Sequence, residues 1–350
     1  MLLAGVKLKV ILGAIGVGLM VGLFFLRYTS VTSSQSIGAS AFTADLSTPI
    51  KSQSLSQTWI VSADQAVALL NQEARLLDVR GMKRFKSRFP GAKPVRWQDF
   101  SRPQAPWRGN LLESDAVLTQ KLQQLEIASD RPVVAVGDAR AGWGEEGRIV
   151  WMLRTLGHDQ AVWIDGGGRA LKQALAQNPL QQSSSGNSLV KAQVKFQVNR
   201  RSDWLIQAEE LRKGLDAEQT TTESFAVIDT REPREYAGRT PYGEQRGGHV
   251  PGAINIYFKD WLDEKGLLLP REVLLNQLAA QGITPETEVI AYCTGGIRSG
   301  WLVSVLVSLG FQAKNYAGSM WEWSALPVSE YPLVQGDQSR KINNWVIVER

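Results

Sequence analysis

Cysteine and histidine are nearly absent from this chain: one Cys and two His stand among 350 residues. A single thiol excludes an intrachain disulfide and any cysteine-cluster metal site. Two histidines, His158 and His249, give no basis for a histidine-rich metal centre, so no metal is expected. Long runs of one charge are missing too. The balance of 39 basic against 34 acidic side chains, net +5, is mild. It suits small anions or an anionic membrane surface and gives no ground for a nucleic-acid partner.

What is present suffices for sizeable cores: 43% hydrophobic residues, 12 tryptophans, and a length that implies two domains. The most informative stretch is Val289-Ile-Ala-Tyr-Cys293-Thr-Gly-Gly-Ile-Arg298-Ser-Gly-Trp301. It reads as a short apolar strand over Val289–Tyr292, a tight loop, then an apolar helix from about Ser299 to Leu309 closed by Gly310. Cys293 would lie where loop N–H groups converge at a helix N-terminus, a place that favours an anion. A thiol there has a pKa below its free value of about 8.5, and the thiolate is the nucleophile. Free cysteines are often merely buried small hydrophobes. Two glycines and an arginine in the next five residues point instead to a reactive one.

The N-terminus carries a different signal. Val10 to Leu26 holds no charge, with Lys7 and Lys9 before it and Arg27 after it. Its length is near the lower limit for a spanning helix, and the charge bias leaves the N-terminus in the cytoplasm while the rest crosses. Residues 1–28 are therefore expected to be a signal-anchor holding the protein on the extracytoplasmic side of the inner membrane. A cleaved signal peptide is the alternative, with Ala39-Ser-Ala41 as a distant small-residue cleavage site. Residues 29–56, rich in Ser, Thr and Gln, read as a flexible tether.

Two similar halves follow, at 57–180 and 191–335, joined by a linker over 181–190 and trailed by a tail over 336–350. Leu76-Leu-Asp-Val-Arg80 is answered by Val227-Ile-Asp-Thr-Arg231, Pro90-Gly-Ala92 by Pro251-Gly-Ala253, and Val133-Val-Ala-Val136 by Val289-Ile-Ala-Tyr292. Strands alternating with helices predict, for each half, a mostly parallel sheet with helices on both faces. The tail's Ile342–Arg350 could add an edge strand. The duplication places Gly137 where Cys293 stands. The loop after it, Asp138 to Gly147, is three residues longer and acidic, so Asp138, Glu145 and Glu146 would oppose a thiolate or an incoming anion. The first half cannot perform the same chemistry, though it could hold a ligand of its own.

The loop Cys293-Thr-Gly-Gly-Ile-Arg298-Ser299 resembles the active-site loop of the rhodanese family of sulfurtransferases. Further phrases of that family are Val227-Ile-Asp-Thr-Arg-Glu-Pro-Arg-Glu-Tyr236, Gly248-His-Val-Pro-Gly-Ala-Ile-Asn255, and Leu309-Gly-Phe with Tyr316-Ala-Gly318. The resemblance covers about 200–325 closely and 57–180 more faintly. It implies two tandem α/β rhodanese-like domains, the first a non-catalytic partner that helps wall the active-site cleft. It also implies cofactor-free transfer of a sulfane sulfur from a small anionic donor, through a persulfide on Cys293, to a thiol or cyanide acceptor. Thr294, Gly295, Gly296, Ile297 and Ser299 would cradle the substrate and Arg298 would grip its anionic end. The bland role for Arg298 is a helix-end arginine paired to a carboxylate such as Asp229. Asp229 and Arg231 would support the loop, His249 would be structural at its turn, and Arg246 would be a second substrate contact.

Other readings of the same residues stay open. A sulfur carrier would form the same persulfide from a protein donor. A cysteine phosphatase spaces its Cys and Arg by five residues, whereas four intervene here, and a cysteine hydrolase would pair Cys293 with His249. Donor choice is where the resemblance loosens. No cation lies within Thr294–Ile297, as thiosulfate enzymes have, and Cys-Gly-Ser-Gly-Val-Thr of mercaptopyruvate enzymes is absent. Glu235 stands where both types place an arginine. Thiosulfate is the first choice of donor.

Overall fold

The computed structural model describes residues 55–81, 89–181, 195–217 and 225–336. The expected anchor over 10–26, most of the tether, linker residues 182–190 and the tail from 337 lie outside them. Among the described residues no helix is long and apolar enough to cross a membrane.

The first repeat runs β1 (Ile60–Val61), α1 (Ala63–Asn71), β2 (Arg75–Asp78), β3 (Lys93–Pro94), α2 (Asp115–Gln124), β4 (Val133–Val136), α3 (Glu145–Thr155), β5 (Ala161–Ile164) and α4 (Gly167–Gln177). The second runs β6 (Leu205–Ile206), α5 (Ala208–Ala217), β7 (Phe225–Asp229), α6 (Pro233–Tyr236), β8 (Ile254–Asn255), α7 (Arg271–Ala280), β9 (Glu288–Tyr292), α8 (Ile297–Leu309), β10 (Ala313–Tyr316) and α9 (Ser319–Trp323). Each repeat builds one five-stranded, all-parallel sheet, in the orders β1-β5-β4-β2-β3 and β6-β10-β9-β7-β8. The two orders are the same topology, so the sequence repeat is a fold repeat.

Local chemistry accounts for the elements. Ser62 caps α1 by accepting the Gln65 N–H, and the Gln65 side chain returns the bond to the Ser62 N–H, a reciprocal capping box. β4 and β9 are near-continuous apolar runs because both faces of a parallel sheet are covered. Their side chains alternate between layers. Val134 and Val136 join an outer core with α1 and α4, while Val133 and Ala135 join an inner one. In the second repeat Ile290 and Tyr292 face outward to α5 and α9, whereas Val289 and Ala291 face inward.

The inner faces of both sheets share a single core, and α3 and α8 meet inside it. Trp301 of α8 is fully buried there, beside Trp163 of β5 and Phe258. Gly144 and Gly147 permit that approach: a Cβ on Gly147 would lie 2.5 Å from the Trp301 Cα. Polar ties across the seam run from Trp163 Nε1 to Ser304 Oγ at 2.8 Å and from Trp151 Nε1 to the Trp204 carbonyl at 2.7 Å.

Two boundaries differ from the sequence-based expectation. α8 begins at Ile297, two residues early, because Gly296 adopts the left-handed conformation that starts it. α3 begins at Glu145, for the same reason at Gly144. Gly137 to Gly144 thus connect β4 to α3 where Cys293 to Gly296 connect β9 to α8, so the first loop is longer by four residues rather than three.

Gly147→Val should force α3 from α8 and cost about 1–3 kcal/mol. A denaturant midpoint unchanged from wild type would show that this contact does not hold the repeats together.

Candidate active site

β9 ends at Tyr292 and delivers Cys293 into the mouth of α8. Three of the four carbonyls between β9 and α8 are claimed away from the sulfur. Cys293 O accepts from Met320 N at 3.1 Å, Thr294 O from Trp321 N at 2.9 Å, and Gly296 O from Asn315 Nδ2 at 3.1 Å and Arg148 Nη1 at 3.2 Å. With the carbonyls turned outward, the N–H groups turn inward. Gly296 N–H donates to Cys293 Sγ at 3.1 Å, and the Gly295 and Ser299 amides add to the same field. Gly296 has φ of 80°, and a Cβ there would meet Ala317 O at 2.6 Å and Arg148 Nη1 at 2.7 Å, so the position demands glycine. Gly295 is needed equally, since a Cβ would strike the Trp321 ring at 2.2 Å.

Cys293 is 1% exposed. Burial on its own raises the thiol pKa, but the Arg298 charge and the hydrogen bonds from Ser299 and Gly295 outweigh it and hold the thiol below its ordinary value. The Ser299 hydroxyl has one proton, and Asn315 Oδ1 accepts it at 2.7 Å. Its backbone N–H is therefore the firmer donor to sulfur.

Arg298 lies at this centre, but not as an open anion grip. Its Nη1 and Nη2 donate to Glu235 at 2.6 and 2.8 Å, and Nη2 also reaches Thr294 Oγ1 at 2.6 Å. The side chain is 3% exposed. Burial alone would depress the guanidinium; Glu235 and the Cys293 sulfur overcome that and raise it. In turn Arg298, with Arg231, keeps Glu235 below the usual carboxylate range against the burial that would raise it. The partner is Glu235 rather than Asp229, because Asp229 is already taken. Both its oxygens bind Arg231, and the Tyr292 hydroxyl donates to it at 2.8 Å. Arg231 continues to the Gly248 carbonyl at 2.7 Å. The Asp229–Arg231 pair thus ties the ends of β7 and β9 to the Gly248 turn.

The remaining predicted residues divide. Thr294 turns its hydroxyl to Glu235 Oε1 at 3.0 Å, away from the sulfur, and Ile297 packs as a buried apolar side chain. Arg246 donates its guanidinium to the carbonyls of Trp323, Ser324, Leu326 and Tyr331 and so closes the chain after α9. His249 stacks on Tyr236 at 3.6 Å between ring centroids and bonds its carbonyl.

Several contributors went unseen. Ser319 receives the Cys293 N–H at 3.1 Å. Arg148 of α3, fully buried, reaches across the seam to Gly296 O and also holds Gly109 O at 2.6 Å. Burial pushes its pKa down to about 9, a fall that the nearby sulfur opposes. Trp143, from the lengthened loop of the first repeat, sits with its ring centroid 4.9 Å from the Arg298 guanidinium and edge-on to Tyr242 at 5.2 Å. No local motif marks these residues, and the roles of Arg148 and Trp143 exist only across the domain seam.

The matching position in the first repeat is filled. A Cβ on Gly137 would lie 2.0 Å from Glu146 Oε2. Burial first, then Glu145, raise Glu146 to about 8, so at neutral pH it is a protonated acid occupying the space. The expected opposition of Glu146 to an anion therefore comes from its volume more than its charge. The Asp78–Arg80 pair persists beside it, at 2.9 and 2.7 Å.

Fold and site together define a class: tandem parallel α/β domains, one of which presents a cysteine at a helix N-terminus ringed by amides. Residues 207–326 match the family described as rhodanese-like domain. The chain is 32% identical over 274 residues to the thiosulfate sulfurtransferase of Pseudomonas aeruginosa, covering 77% of this chain and 94% of that protein. It is 27% identical over 267 residues to the sulfur carrier protein TtuD of Thermus thermophilus, covering 71% of this chain and 86% of that one. Among solved structures, YnjE superposes with a TM-score of 0.64 at 18% identity, over 81% of this chain and 70% of that one, a likeness of fold. The chain belongs to the rhodanese family.

Arg298→Gln should raise the Cys293 pKa and lower the thiolate fraction at neutral pH about tenfold or more. Alkylation by iodoacetamide followed across pH would read it: the half-rate point should move upward. A profile superimposable on wild type would deny Arg298 any part in ionising the thiol.

Proposed function

We propose that the chain moves a sulfane sulfur from a small anionic donor, thiosulfate first among them, to a thiophilic acceptor through a persulfide on Cys293. The general activity, sulfur transfer, follows from its family and its sulfurtransferase relatives. The observation that carries the route is the convergence of Gly295, Gly296 and Ser299 amides, with Arg298 behind them, on one buried sulfur.

The thiolate attacks the outer sulfur of thiosulfate, a Cys–S–S bond forms, and the sulfur–sulfur bond to the sulfonate breaks, sulfite leaving with the electron pair. The persulfide's terminal sulfur inherits the negative charge and the same amide donors. A nucleophile such as cyanide then attacks that terminal sulfur. Thiocyanate leaves and the Cys293 thiolate is restored. Arg298 serves as a fixed positive charge that keeps the leaving thiolate stable. A protein persulfide as donor is the second reading, favoured by the carrier among the relatives. A sulfur only 1% exposed suits a small donor better.

The apolar segment 10–26 supports a further part of the reading: a membrane anchor that places both domains on the extracytoplasmic side of the inner membrane. The full chain should then stay in the membrane pellet through alkaline carbonate and leave it in detergent. Recovery in the cytosolic fraction would remove the anchor.

Thiosulfate should add one sulfur, about 32 Da, to the intact protein, and cyanide or a thiol should remove it. Cys293→Ser should show neither the added mass nor turnover. Retained turnover in that variant ends the proposal, and sulfur gained only from a protein persulfide selects the carrier reading.

A further inference from the structure

Five arginines are already engaged. Arg298 is bound to Glu235, Arg231 to Asp229, Arg234 to Glu232, and Arg148 and Arg246 to backbone carbonyls. A donor whose far end is a sulfonate or carboxylate needs a cation with a donor to spare.

Lys259 has one. It stands on the 3-10 turn Phe258–Trp261, anchored by the buried Phe258 and Trp261 rings, so its backbone is firmly placed. Among the described residues its ammonium has no hydrogen bond or close ion pair, and it lies 5.8 Å from the Trp143 ring centroid. Arg298 approaches that same indole at 4.9 Å. The Lys259 ammonium is half-buried: burial lowers its pKa, Glu232 and Glu145 draw it back up, and Arg140 and Arg298 push it down. A positive charge that sits partly desolvated beside other cations and without a close carboxylate gains by meeting an anion. Of the two rings beside the ammonium, Phe258 at 5.6 Å and Trp143 at 5.8 Å, the indole comes from the lengthened loop of the first repeat, so that loop has a use at the other repeat's site.

We propose that Lys259, on the Trp143 platform, holds the anionic end of the sulfur donor and selects donors that carry a sulfonate or carboxylate remote from the transferred sulfur. This rests on the sulfur-transfer reading above. Lys259 would balance the charge that gathers on the departing sulfite as the sulfur–sulfur bond breaks, while Arg298 acts on the thiolate.

Steady-state transfer from thiosulfate to cyanide by the full chain tests it, with Lys259→Gln, Lys259→Arg and Arg108→Gln beside wild type. Arg108 is the competing cation, stacked 4.3 Å from the Trp321 centroid. Lys259→Gln should raise the thiosulfate KM about tenfold or more. The cyanide KM should stay within about twofold, and Lys259→Arg should recover most of the donor KM. An unchanged thiosulfate KM in Lys259→Gln overturns the proposal. So does a fall in kcat that Lys259→Arg does not rescue, or a KM rise found in Arg108→Gln instead. A wild-type protein that gains no sulfur from any anionic donor defeats the underlying reading as well, and is recognised before any substitution is compared.

Discussion

A thiol buried to 1% exposure, yet held below its ordinary pKa, is the constraint that the surrounding structure answers. An uncompensated charge in that environment costs several kcal/mol. The compensation is layered. Amides turned inward by outward-bonded carbonyls meet the sulfur first, and Arg298 supplies a full charge behind them. A guanidinium as buried as Arg298 needs its own counter-ion, and Glu235 on the four-residue helix α6 provides it. Asp229 and Arg231 repeat the pattern one step further out. Opposite charges alternate from the sulfur into the core, and each depends on the one beyond it.

The two repeats share more than a topology. The first carries Gly137 where the second carries Cys293, with buried Glu146 filling the space beside it, yet it shapes the second. Arg148 pins the Gly296 carbonyl from across the seam, and a Cβ on Gly109 would meet Gly295 O at 2.8 Å, so the first repeat sits directly against the active loop. Trp97 stacks with Trp321, whose ring covers Gly295. A cysteine loop cut from its neighbour would lose a guanidinium and part of its wall. The shared core between α3 and α8 is what keeps those parts in register.

Much of the fold was legible before any coordinates. Val133–Val136 and Val289–Tyr292 announced themselves as buried strands through unbroken apolar runs, and paired phrases in the two halves announced the duplication. Helix starts were less legible, because Gly144 and Gly296 begin α3 and α8 by a backbone conformation that periodicity does not register. Arg298 marked the site, but its partner could not be read. Asp229, the acid of the Asp-x-Arg phrase, lies two residues from Arg231 and is consumed locally. Glu235, sixty-three positions from Arg298, took the place. The partners of Arg246 were equally hidden: it serves four carbonyls of the closing segment.

Sequence by itself determined the class of fold, the family resemblance, the place of the one thiol and its replacement by Gly137 in the first repeat. These depend on side-chain period, on glycines that a tight loop requires, and on the presence or absence of a single thiol, all of which are properties of neighbours along the chain. Tertiary structure alone decided that Arg298 is closed to an anion, which acid neutralises it, and which residues of the first repeat reach the Cys293 loop. Those outcomes turn on charges and rings brought together from distant positions, and the energy of a buried charge is set by what surrounds it in space.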